Sequence, residues 1–311
     1  MEMPTPHQPV LYNEIIHLLQ PRSPGKYIDC TLGAGGHAWG ILESSEPGGL
    51  LLGFDIDTYA LQLARSKLDF FGNRAILVHS SFTNLIEELN GLGWHKVDGI
   101  LLDLGLSSMQ LDIPERGFSF RGDAVLDMRF DTRNPVRAID LVNNLPEREL
   151  ADLIFKFGEE RQSRQIAKAI VRARPINTTR ELAEVVSKSV GRGQKKIHPA
   201  TKTFQALRIA VNHELEALEA VLPQAIQVLR PQGRLAIISY HSLEDRIVKQ
   251  FFRNESKDCI CPPKQPICDC GHVASIKIIT KHPIRPQEGE IKINPRARSA
   301  RLRVVEKLST E

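Results

Sequence analysis

No apolar run in this chain approaches the ~20 residues that a helix needs to cross a bilayer, so the sequence offers no helical membrane span. The opening stretch Met1-Glu-Met-Pro-Thr-Pro lacks the basic region followed by an apolar one that marks a secretory signal. A cytoplasmic protein is therefore expected. Internal repeats and low-complexity segments are also absent, which excludes solenoid and fibrous classes. Charge of one sign is weak: 41 Lys and Arg against 37 Asp and Glu leave a net +4, so total charge does not decide whether the partner is a nucleic acid. Cysteine is scarce, and four of the 5 fall between Cys259 and Cys270, so they do not form a disulfide framework across the chain.

What remains is ordinary globular material, 41% hydrophobic and 25% charged over 311 residues, enough for one large α/β domain or two domains sharing a sheet. Short apolar runs at Lys26 to Cys30, Leu50 to Phe54, Ala75 to Val78 and Val97 to Leu102 read as strands. Helical spacing between them, at about His37–Ser44, Tyr59–Phe70 and Asn84–Leu89, makes successive βαβ units and hence a parallel sheet. After Leu104 the pattern breaks. Gly105 to Asn134 is loop-like, and Pro146 to Val190 reads as consecutive helices with no strand between them. A helix over Glu214 to Leu229 and a turn at Arg230-Pro-Gln-Gly233 lead to a strand at Arg234–Ser239. A helix over Glu244–Arg253 follows, with strands at Ile276–Thr280 and Arg301–Glu306 placed as an antiparallel pair around Pro283–Asn294. The expected organisation is a sheet domain from 1–110 and 213–311, with a helical domain of 111–212 inserted.

The chemistry begins at Gly33-Ala-Gly-Gly-His37, which follows the first strand and opens a helix, while the second strand ends in Asp55. Glycines let the backbone turn sharply and approach a ligand, and an acid at the next strand end can accept hydrogen bonds from a ribose hydroxyl pair. The spelling departs from G-x-G-x-x-G and puts Asp29 at the end of the first strand, where it would repel a pyrophosphate. It suits a cofactor with an amino group, such as S-adenosylmethionine, met by Asp29 or by loop carbonyls. Asp103 ends the fourth strand and would face the same crevice, because ligands of open parallel sheets bind beyond the carboxyl ends of the strands.

Several longer motifs carry a resemblance. Asp103-Leu-Gly-Leu-Ser-Ser-Met-Gln-Leu-Asp112, Glu115-Arg-Gly-Phe-Ser-Phe120, Leu126-Asp-Met-Arg129, His198-Pro-Ala-Thr-Lys-Thr-Phe-Gln-Ala-Leu-Arg208, Val211-Asn212 and Ser239-Tyr-His-Ser-Leu-Glu-Asp-Arg246 look like the RsmH (MraW) family. The likeness runs from His7-Gln-Pro-Val-Leu to Asn294-Pro-Arg-Ala-Arg-Ser-Ala-Arg-Leu-Arg303. It implies an α/β fold, a Rossmann-like S-adenosylmethionine-dependent methyltransferase sheet with an inserted all-helical domain for substrate recognition. It also implies methylation of the exocyclic N4 amine of a cytidine in the decoding centre of small-subunit (16S) ribosomal RNA. The partner is then that RNA, in an assembled or nearly assembled small subunit, and a homodimer through the helical insertion is compatible with the sequence. By motif, cofactor contacts fall on Gly35, Gly36, His37, Asp55, Phe82, Asp103 and Gln110. The visible departure is Tyr240, where Phe is more usual before His241.

Sulfonium is a strong methyl donor, so catalysis rests on aligning the amine with the methyl group. The cytosine amine is a poor nucleophile, and acceptors for its hydrogens, namely Asp103, the Leu104 carbonyl or the Ser107 hydroxyl, would draw it toward tetrahedral geometry. His241 is a further candidate for touching the base or accepting a proton, or else a structural histidine. Competing readings are a methyltransferase for a DNA or protein amine and a non-catalytic assembly factor that binds the cofactor; the full set Asp29, Asp55 and Asp103 argues against the latter. Basic residues cluster at Arg161, Arg164, Lys168, Arg172 and Arg174, at Arg192, Lys195 and Lys196, and at Arg296, Arg298, Arg301 and Arg303 in the tail, and the first two groups are candidates for phosphate contacts. The cysteines Cys259, Cys261, Cys268 and Cys270 leave three options open: a zinc site, a thiol-rich loop or a redox pair. Their C-x-C spacing fits zinc less well than C-x-x-C, and the methyl transfer needs no metal.

Overall fold

A computed structural model of the chain describes residues 9–190, 198–262, 265 and 267–309. Arg192, Lys195 and Lys196, and the first residues of the His7-Gln-Pro-Val-Leu motif, lie outside the described residues. The chain divides into two compact units, Met1–Gly105 with Ala217–Glu311, and Leu106–Glu216.

The first unit opens with α1 (Tyr12–Leu19), β1 (Lys26–Asp29), α2 (Gly36–Ser44), β2 (Leu50–Asp55), α3 (Thr58–Leu68), β3 (Ala75–His79), α4 (Leu85–Gly91) and β4 (Val97–Asp103). In the second unit follow α5 (Ser108–Asp112), α6 (Ala138–Asn144), α7 (Glu147–Gly158), α8 (Ser163–Ala173), α9 (Thr179–Val190) and α10 (Thr201–Asn212). The chain then runs through α11 (Glu214–Val228) into β5 (Leu229–Ser239), α12 (Ser242–Glu255), β6 (Ile276–Ile278), α13 (Glu288–Ile293) and β7 (Arg301–Lys307).

The strands make a seven-stranded sheet in the order β3-β2-β1-β4-β5-β7-β6. The first five are parallel to one another, and β7 is antiparallel to both β5 and β6. Alternating side chains pack on opposite faces, as a strand's two-residue period requires. Ile28, Leu52, Phe54, Ile100, Leu102, Leu235 and Ile237 share one core with Leu85 and Leu89 of α4, Leu218 and Leu222 of α11, and Val248 and Phe252 of α12. Tyr27, Leu51, Leu101, Ala236 and Ile238 share the other with Ile15 and Leu19 of α1, Ile41 and Leu42 of α2, and Ala64 and Leu68 of α3. Both faces are covered, which is why these strands read as near-continuous apolar runs. Strand order reverses between β1 and β4, so the crevice at their carboxyl ends is the topological switch point of the sheet.

The sequence-derived strands lie within the observed ones except at two ends, and two local details differ. Cys30 falls just past β1, and the strand expected at Ile276–Thr280 stops at Ile278. The expected turn at Arg230-Pro-Gln-Gly233 lies inside β5: the register jumps from Val97 opposite Leu229 to Gly99 opposite Arg234, and the residues between bulge outward with Gln232 at φ 65°. The expected loop at Gly105–Asn134 contains α5, which Ser107 caps.

The second unit holds its own core, including Leu126, Met128, Val142, Leu150, Ile154, Ile166, Ile170, Leu182, Leu207 and Val211. It begins at Leu106 rather than 111, because Leu106 and Leu111 pack on that core, and ends at Glu216 rather than 212, because Glu214 pairs with Arg208 at 2.8 Å. Two motifs meet here: Asn212 Oδ1 accepts from Phe130 N at 2.7 Å while its Nδ2 donates to Met128 O at 2.7 Å. No helix of the described residues is long and apolar enough to cross a membrane.

Candidate active site at the carboxyl ends of the strands

The turn after β1 is shaped by glycine. Gly33 and Gly35 have φ of 52° and 75°, the left-handed region that side chains other than glycine enter at a cost. Gly35 is the N-cap of α2, and a Cβ on Gly36 would meet Pro9 Cγ at 2.4 Å. A Cβ on Gly33 would meet nothing closer than Thr31 O at 4.0 Å, so the loop leaves open space above its backbone.

Asp55 at the end of β2 locks this turn: Oδ2 accepts from Gly33 N at 2.8 Å and Oδ1 from Asp57 N at 2.9 Å. Asp29 at the end of β1 accepts from Thr31 N at 3.1 Å. Thr31 Oγ1 in turn accepts from Asp103 N at 2.6 Å and ties the end of β1 to the end of β4. Asp103 Oδ1 accepts from the Tyr240 hydroxyl at 2.9 Å, and Oδ2 lies 3.6 Å from His37 Nε2. His37 sits in the first turn of α2, buried, with Tyr12 stacked beside it at 6.2 Å between ring centroids. Neither ring nitrogen of His37 has a hydrogen-bond partner among the described residues.

Burial dominates the electrostatics. Loss of water raises the Asp29 carboxyl to about 7; nearby His37 pulls it down, and Asp103 and Asp55 push it up. Burial likewise lifts Asp55 to about 6, partly offset by the Asp57 and Gly33 amides. The Tyr240 phenol is held far above its ordinary range, first by burial and then by the Asp103 charge. Such a crevice, with three carboxyls, an imidazole without a hydrogen-bond partner and open space over a glycine turn, suits a ligand carrying cationic groups and hydroxyls. It disfavours a polyanion. The residues present therefore fit a cofactor of the S-adenosylmethionine kind.

The other expected residues take separate places. Phe82 follows β3 in a short 3-10 turn and packs, half-buried, on the core shared with α4. His241 is the N-cap of α12: its Nδ1 accepts from Glu244 N at 3.4 Å and its Nε2 lies 3.0 Å from Glu244 Oε1. With Nδ1 accepting, the ring proton belongs on Nε2, which is buried close to the carboxylate but makes no hydrogen bond among the described residues. Glu244 also accepts from the amides of Tyr240 and His241 at 2.8 and 3.2 Å. Ser107 and Gln110 belong to the second unit, where they form a reciprocal capping box at the start of α5.

The basic groups sort by partner. Arg164, Lys168 and Arg172 are exposed at four-residue spacing along α8, a single stripe. Arg174 lies past α8 and donates to the carbonyls of Val142 and Leu145, so it ends a helix instead of presenting charge. Arg301 and Arg303 are committed to Asp245 at 3.1 and 2.7 Å. Tyr240, Thr31, Tyr12 and Glu244 are the contributors that sequence reasoning did not assign to the site. Only Tyr240 gave a signal, as an unusual residue inside a recognisable motif.

The sequence profile of the MraW methylase family matches residues 4–308. A protein from Dehalococcoides mccartyi named ribosomal RNA small subunit methyltransferase H is 52% identical over 303 residues, covering 97% of this chain and 87% of that one. A namesake from Citrifermentans bemidjiense is 50% identical over 307 residues, covering 97% and 98%. A solved rRNA methylase from Streptococcus thermophilus aligns with a TM-score of 0.43 at 10% identity, over 96% of this chain and 94% of that one.

Proposed function

The chain belongs to the MraW methylase family, and from that premise we propose that it methylates the exocyclic N4 amine of a cytidine in the decoding centre of small-subunit ribosomal RNA. The observation that carries the reading is the Asp103 carboxylate, fixed at the switch point by Thr31, Tyr240 and His37. S-adenosylmethionine, when bound, supplies a methyl group activated by its sulfonium.

The chain's own residues divide the remaining work. Asp29 would hold the ammonium of the cofactor's methionine part and the Gly36 amide its carboxylate, with Gly35, whose own amide donates to Leu32 O at 2.8 Å, shaping the turn and His37 offering its ring nitrogens there. Asp55 would take the ribose hydroxyls through the lone pairs that Gly33 and Asp57 leave free, and Phe82 would give the adenine an apolar face. Asp103 accepts a hydrogen bond from the cytosine amine, which restores lone-pair density on nitrogen, and takes up the proton that the nitrogen sheds on forming its new bond to carbon. Ser107 is assigned to substrate positioning, with its hydroxyl already held by α5. His241, with Nδ1 engaged by the Glu244 amide, acts by fixing the Tyr240–His241 corner of the site.

A target base must leave its stack to be reached, and RNA is read best where bases are already unpaired. The α8 stripe supplies backbone charge for such a substrate, which we take to be an assembled or nearly assembled subunit in the cytoplasm. The test is transfer of label from S-adenosylmethionine to small subunits that lack the modification, followed by nucleoside analysis. Label in N4-methylated cytidine, lost in Asp103→Ala, supports the reading. Cofactor binding without transfer, or label in another nucleoside, overturns it.

A further inference from the structure

The loop from the end of α12 to β6 carries four of the chain's cysteines and takes no part in the site above. Its base is pinned: Ser275 N donates to Glu255 O at 2.8 Å, Ser275 Oγ to Glu255 Oε2 at 2.6 Å, and His272 Nε2 lies 3.1 Å from Asn254 O. Beyond that base, Gln265 Nε2 donates to Asp269 Oδ1 at 2.6 Å and Ala274 N to Asp258 Oδ1 at 3.3 Å, both polar links on the surface. Ile260, Ile267 and Val273 are exposed at 48%, 77% and 68%, so among the described residues these apolar side chains of the loop do not build a core.

Yet the sulfurs converge. The Sγ atoms of Cys259, Cys261, Cys268 and Cys270 all lie within 4.8 Å of one another. Successive separations are 3.9 Å from Cys270 to Cys259, 3.5 Å from Cys268 to Cys270 and 3.9 Å from Cys261 to Cys268. A disulfide would bring two of them to about 2.05 Å, and all four are free thiols. A tetrahedral zinc ion with bonds of about 2.3 Å sets its sulfur ligands about 3.8 Å apart, as the edges of the tetrahedron. The observed spacings match that edge, whereas a four-iron cluster would hold its thiolates much farther apart. One-residue spacing is no obstacle, because residues i and i+2 of an extended chain project to the same side, and two such pairs facing each other close the tetrahedron.

We propose that Cys259, Cys261, Cys268 and Cys270 bind one zinc ion, as a closed structural site that holds the α12–β6 loop. Four thiolates leave no open coordination position for substrate or water, so the ion clasps the loop in place of a hydrophobic core. The site is independent of the methyl-transfer reading and stands or falls without it.

The experiment uses the full chain, expressed with zinc in the medium and purified without chelator. Plasma mass spectrometry is expected to find one zinc per chain, and titration with a mercurial to release it in step with the blocking of four thiols. Cys268→Ser with Cys270→Ser is expected to lose the metal. Should that variant fail to fold, the titration of the unaltered chain remains decisive. Zinc far below one per chain together with four thiols that react immediately with a thiol reagent overturns the proposal, and stoichiometric iron in place of zinc overturns the choice of metal.

Discussion

The Tyr240 hydroxyl donates to Asp103 Oδ1 across 2.9 Å, joining the carboxyl ends of the neighbouring strands β5 and β4. Tyr240 and Asp103 are both partly buried, so the bond fixes the carboxylate's rotamer while leaving Oδ2 toward His37. Tyr240→Phe removes one hydrogen bond and leaves Asp103 Oδ1 without that donor. It is expected to cost about 1–2 kcal/mol of stability and to lower methyl transfer less than about tenfold, since Thr31 still anchors the Asp103 backbone. Asp103→Ala is expected to lower transfer at least about 100-fold. Thermal unfolding and single-turnover transfer rates compare the two; equal losses in both variants would contradict this division of roles.

Glycine at position 33 serves both backbone and ligand. Gly33→Ala is expected to strain the turn by about 1 kcal/mol and to place a methyl group in the open space above the loop, weakening S-adenosylmethionine binding about tenfold or more. Gly93→Ala is the matched control, with φ of 65° just past the end of α4 and nothing within 4 Å of its Cβ. It is expected to lose similar stability with unchanged affinity, and calorimetric titration of both variants checks the contrast.

The raised Asp29 carboxyl gives stability a definite slope with pH. Its folded value of about 7 lies above the ordinary carboxyl value of 3.8, so the folded chain holds a proton that the unfolded chain has shed. Stability from this group falls as pH rises from about 4 to about 7 and levels off beyond. Asp55, at about 6, adds a slope of the same sign. Urea midpoints at pH 5 and pH 8 are expected to differ less in Asp29→Asn than in the unaltered chain. Affinity for the cationic cofactor runs the other way and is expected to rise between pH 6 and pH 8, as Asp29 ionises beside His37, Asp55 and Asp103, and to flatten in the same variant.

Charge reversal of Arg164, Lys168 and Arg172 to Glu tests the α8 stripe. All three side chains are exposed, so folding is expected to be unaffected. RNA affinity is expected to fall, with the slope of its logarithm against log salt shallower by about 2, near 0.7 for each phosphate that the protein no longer neutralises. Cofactor affinity stays constant. Filter binding across a salt series reads the slope, and an unchanged slope removes the stripe from the RNA surface.

Much of the sheet was legible because buried parallel strands advertise themselves as apolar runs ending in acids at 29, 55 and 103. The antiparallel pairing of β6 with β7 was legible too, although the segment between them carries α13. What stayed hidden depends on partners far away in sequence. Arg301 and Arg303 look like free tail charges until Asp245 is placed beside them. Arg174 looks like one more phosphate ligand until the carbonyls of α6 are seen to need it. His241 reads as a candidate base, but the start of α12 uses its ring as a cap. Short helices such as α5 escape notice because a few residues show too little periodicity, and there the capping pair Ser107 and Gln110 was the usable sign.

Among the described residues the last strand, β7, lies between β5 and β6, and β6 has no other strand partner. During synthesis β6 therefore leaves the ribosome before the neighbour it must pair with has been made. The β1 to β4 half can dock as it emerges, but β5 keeps an open edge until β7 has been made. A message cut short anywhere between Thr280 and Arg301 yields a chain that exposes that edge, so incomplete products reveal themselves to the cell's quality control as unpaired sheet.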